Sequence, residues 1–318
     1  MKRQIIIGHK KYKMKRLLIA IFSLLSVLGF SQTQIRLDKK LQHKIDTILI
    51  GFKGTAGIYI KNLKNGTSAG INYDTIFPTA SMIKIPILLG IMDKIEKKEL
   101  TYHQPLIYKD SLLYEGEDIL GSFKNNETIS LNKVIMLMLT TSDNTASLWL
   151  QSLGGGGQYI NQLLQQNGFS TTRVNSRTPG REEARQQYGW GQTTPIEMVA
   201  LLEKIYKGQI INKAASDKMI RLLGRNFWDE EALSQFPPNI FIASKNGAVN
   251  KSRSETLLVM APNNPFIFSI ITKNQEDESW GLNNEGWVLA RKLATILWQH
   301  FEPNSQWQPL YTIEGKLK

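Results

Sequence analysis

Segments with β-strand character lie towards the two ends of this chain, with a block of helical periodicity between them, and that order limits the topology more than any other feature. Near one end, Gly57-Ile58-Tyr59-Ile60 and Ala69-Gly70-Ile71-Asn72-Tyr73 flank Asn65-Gly66, a dipeptide suited to tight hairpins because both positions tolerate positive φ. Near the other, residues 240–243, 256–261 and 266–272 are short runs rich in β-branched and aromatic side chains. Between them, apolar spacing predicts helices over 82–95, 131–139, 145–153, 195–206 and 214–223, with Gly154 to Gly157 ending the third. Two more, over 37–52 and about 284–301, bracket the strands. The expected fold is α+β: an antiparallel sheet built from both chain ends and flanked by the first and last helices, with an inserted all-helical lobe. The sheet lobe would take about 32–80 and 235–318 and the helical lobe about 81–234, leaving a cleft between them where a site belongs.

The N-terminus carries an address. Lys10, Lys11, Lys13, Lys15 and Arg16 precede an apolar run of 14 residues, Leu17 to Phe30, and Gly29-Phe30-Ser31 supplies small residues for cleavage near Ser31–Gln32. Residues 1–31 therefore read as a secretory signal peptide, too short to span a bilayer comfortably, with Met14 as an alternative start. Seven of the 39 Lys/Arg and none of the 27 Asp/Glu lie in that segment, so residues 32–318 hold 32 basic against 27 acidic groups, a net charge of +5 rather than +12. With most of the basicity in a removable peptide, no nucleic-acid partner is expected. Nor is stable membrane association after signal cleavage, and the expected product is an exported, periplasmic or secreted monomer. The absence of cysteine excludes disulfides, a thiol nucleophile and a thiolate metal site. The four histidines are scattered without a His-x-x-x-His pair, so no metal or cofactor is called for.

Three short motifs carry candidate chemistry. In Ser81-Met82-Ile83-Lys84, a helix starting at the serine puts residues three apart on one face, bringing the Lys84 amine to the Ser81 hydroxyl. A serine is a weak nucleophile without an adjacent base, and burial would lower the lysine pKa towards that task. The spacing alone is common: Ser130-Leu131-Asn132-Lys133 repeats it and reads as a helix cap with a solvated lysine. Ser142-Asp143-Asn144 falls in a break between two apolar helices. It is either a capping turn or a proton relay (Ser142) beside a substrate-amide contact (Asn144), with Asp143 holding the loop. Lys245-Asn246-Gly247 follows a strand: an Asn-Gly turn, or a cation for a carboxylate-bearing substrate next to a glycine that admits a substrate backbone. The better turn at 250–254 favours keeping Lys245 in the strand.

In this order and at these separations, the three motifs resemble the penicillin-recognising serine hydrolases, in particular class A β-lactamases. The hairpin before the nucleophile, Phe77-Pro78-Thr79-Ala80 and Thr193-Thr194-Pro195 extend the resemblance over the whole chain after the signal. It implies a catalytic set of Ser81 as acylated nucleophile, Lys84 and Ser142, and a substrate-binding set of Asn144, Lys245, Asn246, Gly247 and Ala248. The N–H groups of Ser81 and Ala248 would form the oxyanion hole. The implied substrate is a β-lactam or related acyl compound, and the implied reaction β-lactam hydrolysis, hence antibiotic resistance. A serine esterase or peptidase, or a module acylated without efficient turnover, is the alternative. Two departures bear on that choice. Asn246 stands where the family has Thr or Ser. The loop 175–184 places Thr178 where the family has its water-activating glutamate, leaving Glu182 or Glu183 as the candidate deacylating base if the loop is remodelled. Arg253 is a further candidate carboxylate contact. Gly66-Thr67-Ser68-Ala69-Gly70 matches a nucleophile-elbow pattern but sits in the hairpin, where that elbow has no strand-to-helix turn to occupy.

Overall fold

The computed structural model describes residues 36–114 and 118–318, and residues 1–31, expected to be a signal peptide, lie outside them. Every element named below belongs to the body Leu37–Lys318. Helix α1 (Lys39–Ile45) leads into the hairpin β1 (Thr55–Asn62) and β2 (Thr67–Ile71). Its turn is closed by Gly66 at φ +75° and by Asn62 Oδ1, which accepts from the Lys64 and Asn65 amides. The short strand β3 (Phe77–Pro78) then enters a 3₁₀ turn, Ala80–Ile83, that runs straight into α2 (Lys84–Glu96). Helices α3 (Leu131–Thr140), α4 (Asn144–Leu153) and α5 (Gly156–Gln166) follow, then β4 (Arg173–Val174), α6 (Glu182–Tyr188) and β5 (Gly191–Thr193). Helices α7 (Pro195–Tyr206) and α8 (Lys213–Leu223) lead to the strands β6 (Ile242–Val249), β7 (Ser252–Val259) and β8 (Phe266–Lys273), and the long α9 (Glu285–Phe301) closes the fold.

Strand β8 joins the two chain ends. It pairs antiparallel with β1 (Phe268 opposite Ile60) on one side and with β7 (Phe268 opposite Leu257) on the other, giving the order β2-β1-β8-β7-β6. Period-two alternation then divides two cores across the sheet. Ile58, Ile60, Leu257, Phe266 and Phe268 face Trp287, Leu293 and Leu297 of α9, while Tyr59, Leu258, Ile267 and Ile271 face the helical block with Val199 and Leu202 of α7. Each such side chain contributes about 1.5–3 kcal/mol when fully buried, so a one-residue slip, which exchanges the faces, is strongly disfavoured. The α+β architecture with an inserted helical block is as the sequence indicates.

Three local differences have physical reasons. The first helix stops at Ile45 instead of reaching residue 52, because Ile48, Ile50 and Phe52 donate to carbonyls three residues back and Gly51 takes φ +85°. The glycine run ends α4 at Leu153 as expected, but it is a corner into a further helix and not the start of a loop. Gly155 and Gly156 take φ +94° and +77°, and α5 starts at once, a helix the sequence reading did not contain. Strand β6 runs on to Val249 instead of stopping at residue 243, so Lys245-Asn246-Gly247 lies within the ladder, as the turn signal beyond it favoured, with the turn at 250–251. Among the described residues no helix is long and apolar enough to cross a membrane.

Candidate active site

The 3₁₀ turn, not an α-helix, brings Ser81 to Lys84. In a 3₁₀ turn residues three apart eclipse one another, and the Lys84 ammonium position lies 3.0 Å from Ser81 Oγ. Ala80, just before the serine, sits at φ +44°, a left-handed conformation that a non-glycine residue keeps only when its surroundings enforce it. Here the Thr79 N–H donates to Gly191 O, and the Ser254 hydroxyl donates to Thr79 O at 3.0 Å, so both flanks are tied down.

Lys84 is completely buried and faces four acceptors: Ser81 Oγ, Ser142 O at 2.5 Å, Ser142 Oγ at 3.0 Å and Asn144 Oδ1 at 2.9 Å. Burial holds its pKa well below the ordinary lysine value; the positive charge of Lys245 pushes in the same direction, and Asp143 and Asp118 oppose it. A neutral Lys84 has two N–H donors and a lone pair, so a proton can pass from the Ser81 hydroxyl to its nitrogen without any group moving far.

Ser142 occupies the corner between α3 and α4 at φ +63°. Two carboxylates pin that corner. Asp143 Oδ1 accepts from Ala146 N at the start of α4, and its Oδ2 accepts from Leu120 N at 2.8 Å. Asp118 accepts from Asn144 N at 2.8 Å, Thr145 N at 2.9 Å and Thr145 Oγ1 at 2.6 Å. Asp143 thus stands where its loop-holding reading puts it. Asp118 was invisible in the sequence, because nothing in a lone aspartate 24 residues before Ser142 marks it as a neighbour of that corner.

The third motif meets the first through backbone. A Cβ built on Gly247 would lie 2.5 Å from Ser81 N and 2.9 Å from both Ala80 Cβ and Ser254 Oγ, so only glycine lets β6 press against the 3₁₀ turn. Ala248, next along the strand, lines the open cleft with Ser81, Pro78, Tyr114, Asn144 and Trp190. That cleft holds about 500 Å³, and Tyr114 and Trp190 meet edge to face across 5.0 Å on its helical side.

Four expectations need correction. Lys245 has no exposed surface: its Nζ donates to Asn246 O at 2.9 Å and to Asn246 Oδ1 at 3.2 Å, and burial pushes its pKa down to about 7. Lys245 and Asn246 therefore satisfy one another beneath the cleft surface instead of presenting a cation and an amide to it. Glu182 and Glu183 stand exposed on the first turn of α6, where Glu182 accepts from Gly180 N and borders a surface hollow with Arg177 and Pro179. The other end of α6, Gln187 and Tyr188, reaches the cleft, about 9 Å further along the helix axis. Thr178 is buried against Gly157 and donates to Ser176 O at 2.9 Å, so it too lies off the cleft. Arg253 is buried between Trp280 and Trp287, with its two terminal guanidinium nitrogens donating to the carbonyls of Val249, Ser252 and Ser279. No group of three His, Cys, Asp or Glu able to hold a metal occurs among the described residues.

Comparison with known proteins agrees with this geometry. Residues 40–301 match the model of the beta-lactamase enzyme family, and the chain belongs to that family. The VEB-1 beta-lactamase of Pseudomonas aeruginosa is 24% identical over 300 residues, covering 90% of this chain and 98% of the relative. A beta-lactamase of Bacteroides uniformis is 25% identical over 210 residues, 64% of this chain and 70% of its own length. Among solved structures, PBP-A superposes with a TM-score of 0.75 at 26% identity, covering 85% of this chain and 98% of that one. The TLA-1 extended-spectrum beta-lactamase shares the fold, with a TM-score of 0.73 at 18% identity, over 82% of this chain and 98% of its own. The family is one of hydrolases acting on β-lactams.

Proposed function

We propose that this protein is an exported serine acyl-transfer hydrolase that β-lactams acylate at Ser81 and that releases the acyl group slowly. The observation that carries the reading is the buried Lys84 nitrogen within hydrogen-bond reach of both the Ser81 and the Ser142 hydroxyls. Neutral Lys84 takes the Ser81 proton as Oγ attacks the lactam carbonyl carbon, and the developing oxyanion is met by the N–H groups of Ser81 and Ala248. When the ring C–N bond breaks, Ser142 gives its proton to the leaving nitrogen and recovers one from Lys84. Asn144 orients the substrate amide. Lys245 acts from beneath, its charge helping to keep Lys84 neutral.

Return of free enzyme then requires an activated water. Among the described residues lining the cleft there is no Asp or Glu, which supports slow release and favours the partly trapped acyl-enzyme over fast turnover. Support for acylation also comes from a relative: a variant of PBP-A has been solved as an acyl-enzyme complex with penicillin G. Export through residues 1–31 and the two-lobe division at about residues 81 and 234 belong to the same reading.

The test is intact mass after incubation with penicillin G. The protein should gain the mass of one ring-opened penicillin, with the adduct mapping to Ser81 and disappearing in Ser81→Ala but not in Ser68→Ala. An adduct that persists in Ser81→Ala would overturn the assignment.

A further inference from the structure

With Lys245 sealed beneath the surface, the positive charge among the described residues lining the cleft comes from other lysines. The register of the sheet identifies where. Ser252 is opposite Val249 across the β6–β7 turn, and Ser254 is opposite Ile271 on β8, so Lys251 and Lys273 end up at the same end of the sheet, beyond Ala248. Both line the cleft that holds Ser81. That end lies past Ala248, on the side away from Lys245 along β6.

The two lysines are not equivalent. Lys251 is exposed on the turn and pairs with the likewise exposed Glu278 at 3.4 Å, an interaction that water and salt screen heavily. Lys273 is half-buried at the end of β8. Its Nζ donates to the Ile76 carbonyl at 2.8 Å and stands 4.8 Å from the centre of the Phe77 ring. Both partners are neutral, and among the described residues no carboxylate pairs with it. It is a partly desolvated cation, with donors left over, at the wall of an open cleft. Asn274 follows at φ +54° and also lines the cleft, adding a neutral amide. A carboxylate arriving there gains a charge-assisted hydrogen bond and supplies the counter-charge Lys273 lacks.

We propose that Lys273 is a specificity-determining residue that selects acyl donors carrying a carboxylate on the acyl side of the scissile amide, with Asn274 beside it and Lys251 contributing only long-range attraction. The inference rests on acylation at Ser81.

Penicillin G and carbenicillin form a matched pair, because carbenicillin is the same penicillin with one added carboxylate on the acyl side chain. Second-order acylation rates should be measured for both by stopped-flow and intact mass, in the full protein and in Lys273→Gln, Lys273→Arg and Lys251→Gln. The expected result is a preference for carbenicillin that falls about tenfold or more in Lys273→Gln. Penicillin G acylation should stay within about twofold, Lys273→Arg should retain most of the preference, and Lys251→Gln should change it only modestly and only at low salt. The penicillin G rate guards against a folding artefact, since a misfolded variant loses both reactions together. Equal rates of the two penicillins in the unaltered protein, or a preference untouched by Lys273→Gln, would overturn the role of Lys273 while leaving acylation at Ser81 standing. Labelling by neither penicillin would instead overturn the reading on which this one rests.

Discussion

Gly247→Ala is the substitution whose consequence the structure fixes most tightly. The new methyl carbon would lie 2.5 Å from the Ser81 amide nitrogen, against an ordinary contact of about 3.5 Å, so β6 and the 3₁₀ turn must separate by about 1 Å. Neither neighbour yields easily. The second close atom is Ala80 Cβ at 2.9 Å, on a residue already held at φ +44°, and the third is Ser254 Oγ at 2.9 Å, which ties Thr79 O and Gly247 O together. A displacement of that size between nucleophile and oxyanion donors costs about 10²-fold in rate, while overpacking costs about 1–3 kcal/mol of stability. Stopped-flow acylation by a chromogenic cephalosporin should therefore slow about 100-fold in a protein that still melts cooperatively. Gly66→Ala is the control. It places a side chain at positive φ, +75°, which Gly247 does not, but meets no atom within 4 Å, so it should lose a little stability and no acylation rate. If Gly247→Ala acylates at the normal rate, or if Gly66→Ala slows the reaction as much, the contact between β6 and the Ser81 amide does not govern the chemistry.

Two further outcomes follow from the electrostatics and from the loop. Lys245→Met removes a positive charge next to Lys84, which raises the Lys84 pKa, so the acid limb of the acylation rate should move to higher pH. Since Lys245 itself loses its proton at about pH 7, the separation between variant and parent profiles should be widest below that pH, and superimposable profiles would refute the coupling. Glu182→Gln and Glu183→Gln should each leave the lifetime of the acyl-enzyme, followed by intact mass, within about twofold of the parent, because both side chains are exposed and neither lines the cleft. A manyfold longer lifetime in either one would show that α6 reorganises in the acyl-enzyme.

Much of the molecule could be read from local pattern. Asn65-Gly66 marked its hairpin, Thr194-Pro195 opened α7 with Thr194 accepting from Glu197 N, and Asn284 caps α9 by accepting from Gly286 N. Ser81, Lys84, Ser142 and Asn144 were recognisable as candidates because three motifs in that order resemble a known family, and the folded chain gathers all four around one buried nitrogen. What local pattern misjudged lay where long-range contacts decide. Lys245 looked like a surface cation, but a cation in mid-strand can be covered only by what packs over the strand. Counting along the loop put Thr178 at the family's glutamate and left Glu182 and Glu183 as candidates for a remodelled loop, and counting cannot tell which end of a seven-residue helix faces inward. Asp118 and Lys273 carry no mark at all, since their partners lie 26 and 197 residues away. The sequence by itself determined most of the elements, the hairpin and the caps, because helix and strand periodicity are properties of neighbouring residues, whereas Ser81 and Lys84 stood out through resemblance to a family and not through a spacing that Ser130 and Lys133 repeat. Only the tertiary structure decided which charges are sealed and which face the cleft, because burial and electrostatic coupling depend on atoms that the chain brings together from far apart.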